Sequence, residues 1–464
     1  MKKILYIFAL IAVFFQPTSV FAQSDTEMKF GAWMADSHAD PLGRADFYTI
    51  QYESYDGKKN RETVSAKIYV PRKEDGTKIK HVILACHPTT TNNMEVPTGI
   101  DQMDKEIKRL VYNDDFSTMI ICPDYCGYGI SSHKQHPYLI HDVTARNCVD
   151  AVYVVLTKYV QDVWGYTLDS DYATDIVGYS QGGATALACA KYLDSDACPD
   201  YIKETVKLQQ TTCGDGPYST LATVNKYIEW GIPKNDYTEQ HLITAPDEDL
   251  AYACVLPLIV AAAKDAYDDG CMKTVKVEDF FEEQFLKSKV LEYIKTKSVG
   301  TTFISEEIAK VMDRQRPVDV FSSKIINKET GWFNTTSNEY KCLMRALEKA
   351  DLTKGWVPKH DIYFFHLQSD KVVPYANYEA IAEGIGKDCD KVHYVDAVEA
   401  HKDVVDNLHV SGWSILGLFV GDKFSTGVLN KAEVNYFDFS NVDHSTGGTI
   451  FYTDYMFSSK LRKW

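Results

Sequence analysis

Asp175-Ile176-Val177-Gly178-Tyr179-Ser180-Gln181-Gly182-Gly183-Ala184 is the stretch on which this 464-residue chain turns. A short apolar run leads into Gly-x-Ser-x-Gly, and small residues from Gly183 to Ala188 then suit a helix. A serine hydroxyl attacks well only when a base takes its proton and its oxygen stands clear of the main chain. A tight strand-to-helix turn supplies the second condition, at the cost of a strained backbone at Ser180. Such a turn closes only if the residues two before and two after lack bulk, which Gly178 and Gly182 satisfy. The five-residue pattern alone is common, so the context on either side carries the reading.

Working outward, the flanks alternate strand and helix. Ala45 to Tyr55 and Glu62 to Val70 both alternate in polarity around a turn at Asp56-Gly57, which predicts an antiparallel hairpin. Lys80 to Cys86, Thr118 to Cys122 and Thr174 to Val177 are continuous apolar runs suited to strands buried on both faces. Helical stretches, Gln102 to Tyr112 and Val143 to Tyr159, lie between them, so a parallel sheet with right-handed crossovers is expected. Glu204 to Gln210 reads as a sixth strand. From about Tyr218 to Lys354 the pattern is helical, as in Leu256 to Tyr267 and Val277 to Ile294, and strand rhythm resumes at His360 to Leu367. The interruption is expected to be an inserted cap.

A serine needs partners. Asp370 follows the apolar strand Ile362 to Leu367, where its carboxylate could fix the tautomer of a histidine and stabilise its protonated form; otherwise it caps the helix starting near Tyr375. Two histidines beyond it have a strand before and a helix after: His444, between Val434 to Phe439 and Ile450 to Phe457, and His409, between Val392 to Val395 and Ile415 to Val420. His444 is preferred because Gly447 and Gly448 would let the final helix approach the sheet closely; His401 is the third candidate. A developing oxyanion needs two backbone donors. The amide of Gln181 is one, and Thr89 or Thr90 in His87-Pro88-Thr89-Thr90 the other, since Pro88 has no N–H. His87 is expected to position that loop.

With Pro123-Asp124-Tyr125-Cys126-Gly127-Tyr128-Gly129, the serine turn and Asp370 to Pro374 together, the chain resembles the α/β-hydrolase superfamily. More narrowly it is similar to exported bacterial lipase- and esterase-like serine hydrolases. The resemblance implies a mostly parallel sheet with flanking helices, split into 23–217 and 356–464 around a helical cap at 218–355. It also implies cleavage of a carboxylic ester through an acyl-serine carried by Ser180, Asp370 and His444, with no metal and no cofactor. The usual His-Gly oxyanion segment is His87-Pro88 here, which leaves the second donor open. A peptidase or amidase with the same triad, or a non-catalytic binding protein on this fold, are the alternatives.

Composition sets outer bounds. With 45% hydrophobic residues the chain can bury a large core, and a net charge of −16 disfavours nucleic acid and anionic membranes. A small-molecule, lipid or sugar ester is the expected partner. Lys2-Lys3, the apolar run Ile4 to Phe15 and Val20-Phe21-Ala22 read as a signal peptide cleaved near Ala22, so a periplasmic or extracellular location is expected, without a stable membrane anchor. Of eleven cysteines, Cys86, Cys122 and Cys189 read as buried thiols, while Cys198 with Cys213, or Cys254 with Cys271, could pair. His133, His136 and His141 could hold a metal, but a polar loop is the simpler reading. The insertion's aromatics, from Trp230 and Tyr252 through Phe280 to Trp332, read as its own core ahead of an acyl pocket, and Tyr125 and Tyr128 as neighbours of the site.

Overall fold

The computed structural model describes residues 45–71, 76, 78–99, 117–229, 254–267, 270–312, 317–408, 439 and 442–461. Its strands are β1 (Ala45–Tyr55), β2 (Arg61–Pro71), β3 (Lys78–Cys86), β4 (Thr118–Pro123), β5 (Thr167–Tyr179), β6 (Leu208–Gly214), β7 (Asp361–Phe365) and β8 (Val392–Val395). They form one eight-stranded sheet in the order β1-β2-β4-β3-β5-β6-β7-β8. The β1–β2 and β2–β4 pairs are antiparallel and the remaining pairs parallel. The middle of β3 shows why these runs pair: Val82, Leu84, Ala85 and Cys86 are wholly buried, as expected for a strand covered on both faces.

Helices cover the two faces. On one side lie α1 (His141–Val154), which runs on into a π-helical turn Val155–Tyr159, α2 (Gln181–Asp194) and α3 (Asp200–Val206). Between β6 and β7 the described chain holds α4 (Thr220–Glu229), α5 (Val255–Ala266), α6 (Cys271–Thr274), α7 (Glu283–Leu286), α8 (Val290–Thr296), α9 (Thr301–Met312) and α10 (Asn338–Lys349). After β7 come α11 (Ala376–Glu383), α12 (Ala397–Leu408) and α13 (His444–Phe457). Among the described residues no helix is long and apolar enough to cross a membrane.

Three readings need correction. Glu204 to Val206 belongs to α3, which starts after Pro199 and stops at Lys207 in a left-handed conformation (φ 49°), so β6 begins only at Leu208. Val277 to Ile294 is not one helix: a 3-10 turn at Val277–Phe280, α7 and α8 replace it, and Phe281 bridges to Phe321 at the first break. The final helix starts at His444 rather than near Ile450, because the Asp443 carboxylate accepts the Thr446 amide at its N-terminus. The stretches 102–112, 415–420 and 434–438, and the leader at 1–22, lie outside the described residues.

Cys271 pairs with Cys342, joining α6 to α10, whereas Cys198, Cys213 and Cys254 are buried and outside any disulfide. Neither of the two possible pairings forms: Cys213 lies on a central strand and Cys254 leads into α5, each packed in the core. The bridge spans 71 residues, and closing a loop of that length in the unfolded chain stabilises by about 4 kcal/mol. A reductant at non-denaturing concentration should therefore lower Tm by several degrees. An intact mass showing eleven thiols in the untreated protein, with an unmoved Tm, would mean that the bridge does not form.

Candidate active site

The sheet's carboxyl edge gathers the polar groups, as open α/β sheets do at strand ends. Ser180 stands between β5 and α2 with φ 57° and ψ −126°, a conformation costly for any residue but glycine. Neighbouring backbone enforces it. A Cβ at Gly178 would lie 2.2 Å from the Gly182 carbonyl oxygen, and one at Gly182 2.1 Å from the carbonyl of Cys86. The Ser180 N–H donates to the Gly214 carbonyl on β6 (2.9 Å), which holds the turn against the sheet. Gln181 opens α2, so its N–H has no acceptor within the helix and lies at the helix's positive end.

Asp370 sits in the loop after β7. Its Oδ1 accepts the amides of Val372 and Val373, each at 2.8 Å, and its Oδ2 lies 2.5 Å from Nδ1 of His444. A carboxylate oxygen accepts, so this contact places the imidazole proton on Nδ1 and leaves Nε2 able to take another. The Ser369 hydroxyl donates to the carbonyls of Phe439 (3.0 Å) or Val442 (2.8 Å), tying the acid's loop to the histidine's. Gly447 allows the approach expected of it: a Cβ there would lie 2.5 Å from the Tyr179 hydroxyl. Ser180, His444 and Thr89 line one cavity of about 260 Å³. His401 is elsewhere, buried against Asp454 at 2.9 Å on α13, and His409 lies outside the described residues.

The loop after β3 is braced as expected, and by more partners. His87 faces the Pro88 carbonyl with Nδ1 (2.7 Å) and the Asp124 carbonyl with Nε2 (3.1 Å), and burial pushes its pKa down to about 4. Tyr125 stacks on His87 at 3.9 Å and donates to its carbonyl, and Tyr128 donates to the Thr90 carbonyl. These tyrosines support the loop from behind and do not line the cavity. Asp124 is fully buried, accepts from Ser65 and Thr98, and has its pKa raised to about 6 by that burial.

Two contacts were not foreseen. Burial keeps His136 neutral, with a pKa lowered to about 3; its Nδ1 donates to the Cys126 carbonyl and its Nε2 accepts from the Gln181 side chain (2.9 Å). The Tyr179 hydroxyl lies 2.6 Å from Asp215 Oδ2 and 2.8 Å from the His444 carbonyl. One hydroxyl proton serves one acceptor at a time, so both contacts are satisfied together when Asp215 holds a proton and donates to Tyr179. Burial, with the Asp370 charge adding to it, lifts the Asp215 pKa to about 6. Asp215 follows β6 as Asp370 follows β7, and that position in Cys213-Gly214-Asp215-Gly216 was the signal available.

Two groups of metal-ligand type converge among the described residues, and neither includes His133, His136 or His141. Asp215, His366 and Asp370 are engaged by Tyr179, Leu367, Val372, Val373 and His444. Cys86, Cys148 and Cys189 meet in the apolar core, where burial pushes the Cys86 and Cys148 thiols well up. The aromatics Phe280, Phe281 and Phe285 pack within the insertion, Phe281 against Phe285 and Phe321, and stay out of the cavity. Trp230 and Tyr252 lie outside the described residues.

No family model and no curated protein matches the chain. Solved structures do. The rice cell wall degrading esterase LipA of Xanthomonas oryzae is 17% identical with a TM-score of 0.55, over 76% of this chain and 84% of that one. A Legionella pneumophila protein named as a hydrolase is 16% identical with a TM-score of 0.51, over 80% and 84%. At such identities the likeness speaks for architecture, and it agrees with the mostly parallel sheet and its flanking helices. The chain has the α/β-hydrolase fold.

Proposed function

We propose that the protein is a serine hydrolase that cleaves carboxylic esters. One observation supports it most: His444, oriented by Asp370 at 2.5 Å, opens on the same small cavity as a serine held at positive φ. In this reading Nε2 of His444 takes the Ser180 proton as Oγ attacks the ester carbonyl. The Gln181 and Thr89 amides receive the oxyanion, the alcohol leaves with the proton from His444, and water then releases the acid by the same route. Asp370 keeps the imidazole in its Nδ1–H form and stabilises it when charged. The strained turn, the free helix N-terminus and the neutral His136 bracing Gln181 all favour such a site.

The helices between β6 and β7 act as the cap, since Val255 and Ile259 of α5 and Thr301 and Thr302 of α9 help to close the cavity. At about 260 Å³ it falls below the range of drug-sized pockets, so short acyl chains suit it. Esters of about two to six carbons should outpace those of about twelve. The leader-like start and the Cys271–Cys342 bridge both suit an exported protein.

The test is labelling with a fluorophosphonate, located by mass spectrometry, beside a p-nitrophenyl ester series and a matched p-nitroanilide. Label on Ser180 with ester turnover is the expected result. No label on folded protein would overturn the reading, and faster anilide cleavage would turn it toward an amidase.

Asp215 gives a second expectation. Above its pKa of about 6 it adds a negative charge near His444 and favours the imidazolium. Asp215→Asn removes that charge, so the acid limb of kcat/KM should move to lower pH by about half a pH unit. An unmoved limb would show that Asp215 does not act on His444.

A further inference from the structure

A larger cleft, of about 690 Å³, opens away from Ser180. It lies between the β1–β2 turn, the start of α1, the far half of α2, and the ends of α5 and α10. α2 rises about 1.5 Å per residue from Ser180, which puts Lys191 roughly 16 Å along it from the nucleophile. No residue lining this cleft lines the Ser180 cavity.

The cleft's charges are unequally matched. Three lysines and two aspartates line it, one net positive charge on a chain of net −16. Both aspartates are engaged: Asp142 with Lys59 at 2.7 Å, and Asp351 with Lys354 at 3.3 Å and the Thr353 amide and hydroxyl. Lys349 sits over the Tyr267 ring at 4.4 Å. Lys191 differs. Among the described residues its ammonium makes no hydrogen bond or contact ion pair; it is half-buried, burial lowers its pKa, and the charge of Asp351 only partly offsets that. A partly desolvated cation facing an apolar wall is stabilised by any anion that can share the space.

The neighbouring wall says what kind of anion. Ile140, Ala188, Ala266 and Leu352 supply apolar surface, and the rings of Tyr192 and Tyr267 add flat faces. His141 beside them is buried, and that burial pushes its pKa down to about 4, so it adds no competing charge at neutral pH. We propose that this cleft is a second binding site, for a small organic carboxylate whose anionic end meets Lys191 and whose apolar body lies along α2 and the ends of α5 and α10. The site stands whether or not the Ser180 cavity hydrolyses esters.

Calorimetric titration of the full chain with hexanoate, and with its neutral isostere hexanamide, tests this. Hexanoate should bind saturably and hexanamide should not. Lys191→Gln should weaken hexanoate about tenfold or more with an unchanged Tm, and Lys191→Arg, which keeps the charge, should restore it. No saturable hexanoate binding up to millimolar concentration would overturn the proposal. So would binding that Lys191→Gln leaves intact, which would place the carboxylate in the Ser180 cavity instead.

Discussion

Ser180→Ala should lower kcat on a short p-nitrophenyl ester by about 10^5-fold while leaving Tm within about a degree. The two halves of that expectation come from different atoms. Turnover is assigned to Oγ, the one heavy atom that alanine lacks. The turn is held by backbone: the Ser180 N–H on the Gly214 carbonyl, the Ala184 N–H on the Ser180 carbonyl, and the close contacts of Gly178 and Gly182. Alanine keeps every one of these and inherits the same φ, so strain neither appears nor is relieved. A residual rate above buffer is expected in the proposed mechanism, where the Gln181 and Thr89 amides would remain to polarise a bound ester. A clean preparation of the variant that hydrolyses at the wild-type rate would remove Ser180 from the mechanism. A large fall in Tm would instead mean that Oγ supports the turn, and the kinetic loss could not then be assigned to chemistry.

What the sequence made legible follows from how local each cause is. The serine turn was legible because its signature lies within five residues, two of them glycines, even though the Cys86 and Gly214 carbonyls that help to enforce it are remote in sequence. The buried strands were legible because a strand covered on both faces has no polar positions, as Val82 to Cys86 illustrate. Asp370 could be found because an acid at a strand's carboxyl end is a positional signal. The histidine was less determined: His409 and His444 share the same surroundings in sequence, and the close approach of α13 to Tyr179 is seen only at His444 because His409 lies outside the described residues. The partners that sequence reading missed are all non-local. Tyr179 meets Asp215 across two adjacent strand ends, Gln181 meets His136 from 45 residues away, and Cys271 finds Cys342 across 71. The misread strand at Glu204 had another origin. Its alternation is also compatible with the end of a short helix, and the left-handed break at Lys207 carries no glycine to announce it.

His444→Ala and Asp370→Asn should both be severe, and in different ways. In the proposed mechanism His444 is the group that takes the Ser180 proton, so without it kcat should fall about 10^5-fold, close to the loss from Ser180→Ala, and the double variant should be little worse. Members of one catalytic unit behave so because the first deletion already forfeits the step they share. Asp370→Asn keeps shape but changes what faces Nδ1. The asparagine can present an N–H there, which favours the tautomer with its proton on Nε2, and that tautomer cannot accept from serine. A loss of about 10^4-fold in kcat with little change in KM is expected, since Asp370 does not line the cavity. The two loop amides of Val372 and Val373 now held by Oδ1 can still be met by the asparagine oxygen, which limits the loss of stability. His409→Ala is the control. Full activity there, beside the collapse in His444→Ala, is the expected pattern. The reverse pattern would move the base to His409, and would leave the 2.5 Å contact between His444 and Asp370 as a structural tie between two loops.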